Sequence, residues 1–102
     1  MADNDEIVLE DAKEAAFILD KEFRRAVLNA DLDRMADLQP QVEQTNEQLS
    51  LARLRLLQEG VLATDEDVAE MRRIRADIDQ AATTQALIAG AIRFVAFIAK
   101  FA

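Results

Sequence analysis

The chain has 102 residues, of which 51% are hydrophobic and 31% are charged, with two glycines, one proline and no cysteine. This composition is typical of one small helical domain, and it excludes disulfide-stapled folds and makes long disordered segments unexpected. The net charge is −8, so we expect no binding to nucleic acid, which needs a basic protein surface.

The first helix is predicted over about residues 5–29, because apolar residues recur there at alternating steps of three and four. This spacing is the narrow seam of a helix that packs in coiled-coil fashion. Asp3, Asn4 and Asp5 are candidate N-cap residues, and further acidic residues follow in the first turns, where the helix dipole favours negative charge. The seam consists of Leu9, Ala12, Ala16, Leu19, Phe23, Ala26 and Ala30.

A second seam, shifted in phase, predicts a second helix over about residues 31–58. Either a tight turn at 29–31 starts this helix with Asp31 as its cap, or one helix runs through and its core face rotates; the pattern slightly favours the turn. Pro40 predicts a kink, because proline removes one backbone donor and clashes with the carbonyl four residues back. The second seam consists of Leu28, Leu32, Met35, Leu38, Val42, Thr45, Leu49, Ala52 and Leu56.

A third helix is predicted to run unbroken over about residues 65–101, to a length of about 57 Å. Gly60 predicts a left-handed end to the second helix, and Thr64 with Asp67 predicts a capping box for the third. No strand pattern is visible. We therefore expect one all-α domain over 1–102, an antiparallel helical hairpin or three-helix bundle with coiled-coil-like packing and a long C-terminal helix. The third seam consists of Met71, Ile74, Ile78, Ala81, Gln85, Ile88, Ile92, Val95, Ala99 and Ala102.

The last half of the third predicted helix carries a second apolar row beside its seam. One neighbouring helix cannot cover both rows, and burying one such side chain gains about 1.5–3 kcal/mol, so we expect an exposed interaction face. Arg93 and Lys100 would pair with acids of a partner or keep the free helix soluble. We expect Phe94→Asp to abolish partner binding and to spare the helices. The candidate partner-binding residues are Leu87, Ile88, Ala91, Phe94, Val95, Ile98 and Phe101.

Several occupants of this face remain open. A membrane span is disfavoured, because Arg93 near the bilayer centre would cost about 2.5–3.5 kcal/mol. An interfacial membrane helix, with Arg93 and Lys100 at the lipid headgroups, stays open. So does packing against the other helices or a second copy of the chain, which would give a homo-oligomer. The remaining alternative is an amphipathic helix of a partner protein.

The residue types argue against catalysis. The chain has no histidine, cysteine, tyrosine or tryptophan, so the commonest general base, thiol nucleophiles and imidazole metal ligands are absent. Acidic pairs such as Asp77 and Asp79 are typical of a solvated helix face. We therefore expect no enzyme activity, no metal and no cofactor. A cluster of arginines at 72–75 is expected to be solvated or to pair with the acidic first helix. The acidic N-terminus lacks the features of a secretory signal, which favours a cytoplasmic location.

Two segments together resemble the FlgN-type flagellar export chaperones. Segment 16–49 resembles the family pattern of a helix followed by a small residue, an Asp, a Leu or Phe and further leucines. Segment 84–93 is similar to the family's later Asn-Gln-x-Leu-Leu-x-x-Ala stretch. The matching residues are Ala30, Asp31, Leu32, Met35 and Leu38 in the first segment, and Gln85, Leu87, Ile88 and Ala91 in the second.

The resemblance implies a small cytosolic all-α chaperone. Such a protein binds the C-terminal amphipathic region of hook-filament junction proteins, also called hook-associated proteins, and delivers them to the flagellar type III export gate. The family's substrate-binding segment is its C-terminal helix, which corresponds to residues 87–101. Two alternatives remain: a self-associating helical structural or adaptor protein, and a peripheral membrane-binding protein that uses its C-terminal amphipathic helix.

Overall fold

A computed structural model describes residues 3–60 and 62–102. Within these residues the chain forms helices and turns and no strand, so the all-α prediction is confirmed. The helices are α1 (Asn4–Leu28), α2 (Leu32–Glu59), α3 (Asp65–Asp79) and α4 (Thr84–Ile98), and a 3-10 turn (Ala99–Phe101) follows α4.

A tight turn separates α1 from α2, so the alternative of one continuous helix is wrong. The N–H groups of Ala30 and Asp31 donate to the carbonyls of Val27 and Ala26, the paired bonds of a Schellman motif. Ala30 occupies the left-handed position, with φ at 53°, where glycine is usual. The Asp31 carboxylate accepts from the backbone N–H of Arg34 at 3.2 Å and caps α2, as the sequence predicts.

The second helix continues through Pro40 to Glu59. Pro40 lies on an exposed part of α2, where water can reach the Ala36 carbonyl that loses its helical donor. The kink expected at this position stays a prediction.

The connection from α2 to α3 is held by side chains of the first turn of α1. Gly60 ends α2 with a positive φ of 64°, as predicted, but its ψ of 157° is not that of a left-handed helical residue. The capping box of Thr64 and Asp67 is present, so that prediction is confirmed. The buried Asp5 carboxylate accepts from the N–H groups of Leu62 at 3.0 Å and Ala63 at 2.7 Å. This carboxylate therefore ties the loop to the start of α1.

The prediction of one unbroken third helix is wrong, because the chain turns back at residues 80–83. Thr83 caps α4 by accepting from the N–H of Ala86 at 3.1 Å. The hairpin is tight: a Cβ added to Gly90 would lie 2.8 Å from Cγ1 of Ile78. The physical reason for the break is burial. Folding back buries one apolar row of α4 against the other helices. That row consists of Leu87, Ala91, Phe94, Ile98 and Phe101, whereas Ile92 of the seam row stays 56% exposed.

The α3–α4 hairpin covers only part of the longer α1–α2 hairpin. Asn4 bonds Asp65 and Lys100 bonds Asp67, so α3 starts, and α4 ends, beside the start of α1. Each of these two helices has 15 residues, or about 22 Å, while the molecule is 43 Å long. The α1–α2 turn therefore extends beyond α3 and α4, and Leu28 at its base is 85% exposed.

The core draws side chains from all four helices and from the end of the chain. Alanines of α1 allow close approach of its neighbours, and Thr45 of α2 is buried with its hydroxyl unpaired among the described residues. The core cluster includes Val8, Ala12, Ala15, Leu19, Leu38, Ala52, Leu56, Val68, Met71, Ile74, Ile78, Leu87, Ala91, Phe94, Phe97, Ile98 and Phe101.

Candidate partner-binding surface

The structure places the sequence-predicted binding residues mainly inside the bundle. Five of the seven are at most 3% exposed: Leu87, Ala91, Phe94, Ile98 and Phe101. Ile88 and Val95 are half-buried, and Ile88 packs against the same core. The expectation that these residues form an exposed face is therefore wrong. The reason is the turn at residues 80–83, which places α4 against α1, α2 and α3.

The two cations of the C-terminal segment are also engaged within the molecule. Arg93 donates to Glu70 at 3.1 Å and also pairs with Asp77, and Lys100 donates to Asp67 at 2.6 Å. These pairs join α4 and its terminal turn to α3. About half of each of these two side chains nevertheless stays exposed.

The pKa values of the α3 carboxylates follow from these contacts. Burial alone would raise the pKa of Asp67, but hydrogen bonds from Lys100 and from the Thr64 backbone outweigh it, and the pKa lies below its ordinary value. Hydrogen bonds from Arg73 and Arg93 lower the pKa of Glu70. Both carboxylates therefore stay ionised at neutral pH and keep holding the cations.

The arginine cluster of α3 pairs largely with α1, which is one of the two roles expected from the sequence. Arg72 and Arg75 approach Asp11 at 3.7 and 3.6 Å. Arg75 also donates to Glu14, and this bond is the main reason why the pKa of Arg75 is raised. Arg73 instead pairs with Glu70 on its own helix. Most of the basic charge of α3 is thus used to hold α1.

The outward side of α4 is apolar but built mostly from small residues. Ala89, Ala96 and Ala99 are exposed there beside Ile92, which is 56% exposed. The segment Thr84–Phe101 has a mean hydropathy of 1.4 and is long enough to cross a membrane, yet 39% of it is buried in the fold. A core helix has the same composition, so this segment does not by itself indicate a membrane protein.

Three large apolar side chains on one face of α2 are exposed to solvent. Leu51, Leu54 and Leu57 are 47%, 57% and 68% exposed, and we call them the leucine row. At 100° per residue, Leu54 points directly away from the buried pair Ala52 and Leu56. The leucine row is therefore on the face of α2 opposite the core.

The leucine row lies between the neighbouring helices α1 and α4. On one side, Leu57 lines a shallow groove with Leu9 and Lys13 of α1. On the other, Arg55 follows Leu51 by one turn and donates to the carbonyls of Lys100 and Ala102 at 3.4 and 3.5 Å. The exposed leucines thus occupy the middle of a surface whose edges are α1 and the end of the chain.

Other exposed apolar side chains do not belong to this row. Val27, Leu28 and Leu32 lie around the α1–α2 turn, and Phe17 lies on the outside of α1 beside a hollow that Lys13 and other charged residues also line. We regard the leucine row as the stronger candidate, because its members follow one another along a single helix face.

The sequence does contain a signal for the leucine row. Segment 50–57, Ser-Leu-Ala-Arg-Leu-Arg-Leu-Leu, holds more leucines than its core seam needs. The seam takes only Ala52 and Leu56 from it. The leucine row consists of apolar residues that do not belong to the α2 seam. The second apolar row of α4 is recognised from the sequence by the same criterion.

Within residues 3–60 and 62–102, no group of three or more acidic side chains is placed to hold a metal ion. Comparison with protein-family models finds no matching family, and no curated protein or solved structure matches the chain significantly.

Proposed function

We propose that this protein is a helical adaptor or chaperone that binds an amphipathic helix of a partner protein on the leucine row of α2. One observation carries the proposal: Leu51, Leu54 and Leu57 stay 47–68% exposed on one face of a helix whose opposite face is buried at Ala52 and Leu56. Contiguous apolar surface of this kind is typical of interaction sites.

A helix is the partner structure that fits this surface. The row spans seven residues of α2, about 9 Å from the first leucine to the last, so a parallel or antiparallel helix could place two or three apolar side chains between its leucines. Such helix-in-groove binding uses anchors at positions i, i+3 or i+4 and i+7. The groove beside Leu57 and Leu9 provides depth for one anchor.

The specific form of the proposal is a cytoplasmic flagellar export chaperone. In that role the protein holds the C-terminal amphipathic region of a hook-filament junction protein and passes it to the export gate. This form is supported by the resemblance of segments 16–49 and 84–93 to the FlgN-type family. The partners of that family present an amphipathic region, which agrees with a helix as the ligand. The docking site we propose lies on α2, because α4 is occupied by core packing.

The test is a binding titration with C-terminal segments of hook-filament junction proteins from the same host. We expect one-to-one binding that Leu54→Glu weakens at least about tenfold, since a charge would enter an apolar contact. Leu28→Glu is the matched control, because Leu28 is also exposed but lies at the α1–α2 turn, and it should bind like the unchanged protein.

Other outcomes separate the alternatives. Equal binding by both variants and the unchanged protein would contradict docking on the leucine row. A stable dimer that Leu54→Glu converts to a monomer would assign the row to a second copy of the chain. Binding to lipid vesicles in place of the junction segments would favour the peripheral membrane protein.

A further inference from the structure

The leucine row continues into an acidic stripe along the same face of α2. Glu43, Glu47, Ser50, Leu54 and Leu57 follow one another at steps of four and three, so they form one straight line on the helix. All five are exposed. A helix lying along α2 would therefore meet carboxylates over one half of its length and leucines over the other.

These carboxylates have no basic partner among the residues that the structure describes. Glu43 accepts only from the amide of Gln39 on its own helix, at 3.2 Å, and Glu47 makes no ion pair there. Asp33 and Asp37, nearer the α1–α2 turn, are likewise exposed and without an ion pair in the described chain. The first two-thirds of α2 therefore present uncompensated negative charge.

Acidic residues also border the leucine row on the side of α1. Glu6 and Glu10 line the groove that contains Leu57, together with Lys13 and Arg53. Lys13 approaches Glu10 only at 3.8 Å, and both side chains are largely exposed. This border contrasts with α3, where Asp67, Glu70 and Asp77 are each paired with a cation of the C-terminal segment.

We infer that the partner helix is basic as well as amphipathic, with lysines or arginines in one half and apolar anchors in the other. This inference rests on the proposed function and specifies its partner. The basic half lies over Glu43 and Glu47, toward the α1–α2 turn, and the apolar half lies on the leucine row. Complementary charge of this kind speeds encounter and fixes the orientation of a docked helix. An acidic helix or an anionic lipid surface is repelled from the same face.

Two synthetic helical peptides of about 18 residues, or about 27 Å, test the inference. Both carry leucines at steps of three and four in one half; one has lysines in the other half, and its counterpart has glutamates at the same positions. Each is titrated at low and at high salt against the full chain and against Glu43→Lys combined with Glu47→Lys. Glu66→Lys combined with Asp79→Lys is the matched control, because it changes the net charge equally on α3, which does not contact α2.

At low salt we expect the lysine peptide to bind the unchanged protein at least about tenfold more tightly than the glutamate peptide, with a preference that falls as salt rises. The Glu43 and Glu47 reversal should remove this preference, and the α3 control should keep it. Equal affinity for both peptides, or a preference that the reversal leaves intact, would overturn the inference.

A third variant separates failure of the inference from failure of the proposed function. If both peptides bind equally and Leu54→Glu weakens both, the leucine row is a docking site and only the charge inference fails. If neither peptide binds the unchanged protein, or if Leu54→Glu leaves binding unaltered, the proposed docking site fails as well.

Discussion

The helices α2 and α4 differ in where they expose large apolar side chains. α4 is almost wholly apolar, and most of its large side chains are packed in the core, so that its solvent side consists mostly of alanines and Ile92. α2 is rich in charged and amide side chains, yet Leu51, Leu54 and Leu57 on its outward face are exposed. The comparison teaches that an interaction surface is marked by the apolar residues that packing leaves over, and not by the most apolar segment.

The two helices also differ in whether their charged side chains are paired within the chain. Arg93 of α4, and Lys100 just beyond it, are paired with carboxylates of α3. Glu43 and Glu47 of α2 have no such partner among residues 3–60 and 62–102. The helix that completes the core has its charges satisfied within the chain, whereas the helix that faces solvent keeps charge available for another molecule.

The largest expected effect comes from a charge in the packed face of α4. Phe94 is fully buried, so Phe94→Asp combines loss of a large apolar side chain with burial of a carboxylate. We expect the free energy of unfolding to fall by at least about 4 kcal/mol, measured by urea denaturation followed by circular dichroism. A variant that keeps its helices and its stability but loses partner binding would indicate that α4 is the binding surface.

A smaller loss is expected where α4 crosses α3. Gly90→Ala would place a Cβ 2.8 Å from Cγ1 of Ile78, and we expect a net loss of about 1–3 kcal/mol, despite the better helix propensity of alanine. Ala89→Gly is the neighbouring control, since Ala89 is exposed and the change should cost only the propensity difference of about 1 kcal/mol. A more stable Gly90→Ala would mean that the two helices lie further apart.

Acid should loosen the attachment of α4 to α3. The pKa of Asp67 is lower in the fold than in the unfolded chain, so its contribution is present at neutral pH and is lost as the pH falls below about 4. Asp67→Asn should reduce stability at pH 7 by about 1 kcal/mol and flatten its dependence on pH in this range. Denaturation curves at pH 7 and pH 3 measure both effects. An unchanged pH dependence would rule out a stabilising role for the Lys100 pair.

The smallest change in stability is expected on the outward face of α2. Leu54→Glu replaces a side chain that is 57% exposed, and we expect the free energy of unfolding to change by no more than about 0.5 kcal/mol. The same denaturation assay measures it. A loss comparable to that of Phe94→Asp would show that Leu54 supports the core, and its use as a binding probe would then fail.

The helix ends could be predicted from the sequence because their signals are local. Asp31 and Thr64 each accept from a backbone N–H three residues on, and Gly60 adopts a positive φ that other residues avoid. These signals need no knowledge of the tertiary structure. The α1 and α2 seams likewise follow from spacing alone, and many of their residues are in the core.

The break between α3 and α4 could not be predicted in the same way. The step of three and four continues in phase from Ile78 through Ala81 and Gln85, and alanines favour a helix on local grounds. The break is favoured by tertiary burial of Leu87, Phe94 and Ile98, which a single periodic row does not reveal. The wrong expectation of an exposed face on α4 follows from this one error, because much of the surplus apolar face of a straight helix becomes core once the chain turns.

Hydrogen exchange with and without the lysine peptide tests the central claim most directly. We expect the backbone amides of α4, residues 91–98, to exchange slowly in both states, and the peptide to slow exchange mainly in residues 43–57 of α2. This result would place the docking site on α2 and α4 in the core. Fast exchange of α4 in the free protein, with protection there on binding, would contradict the account.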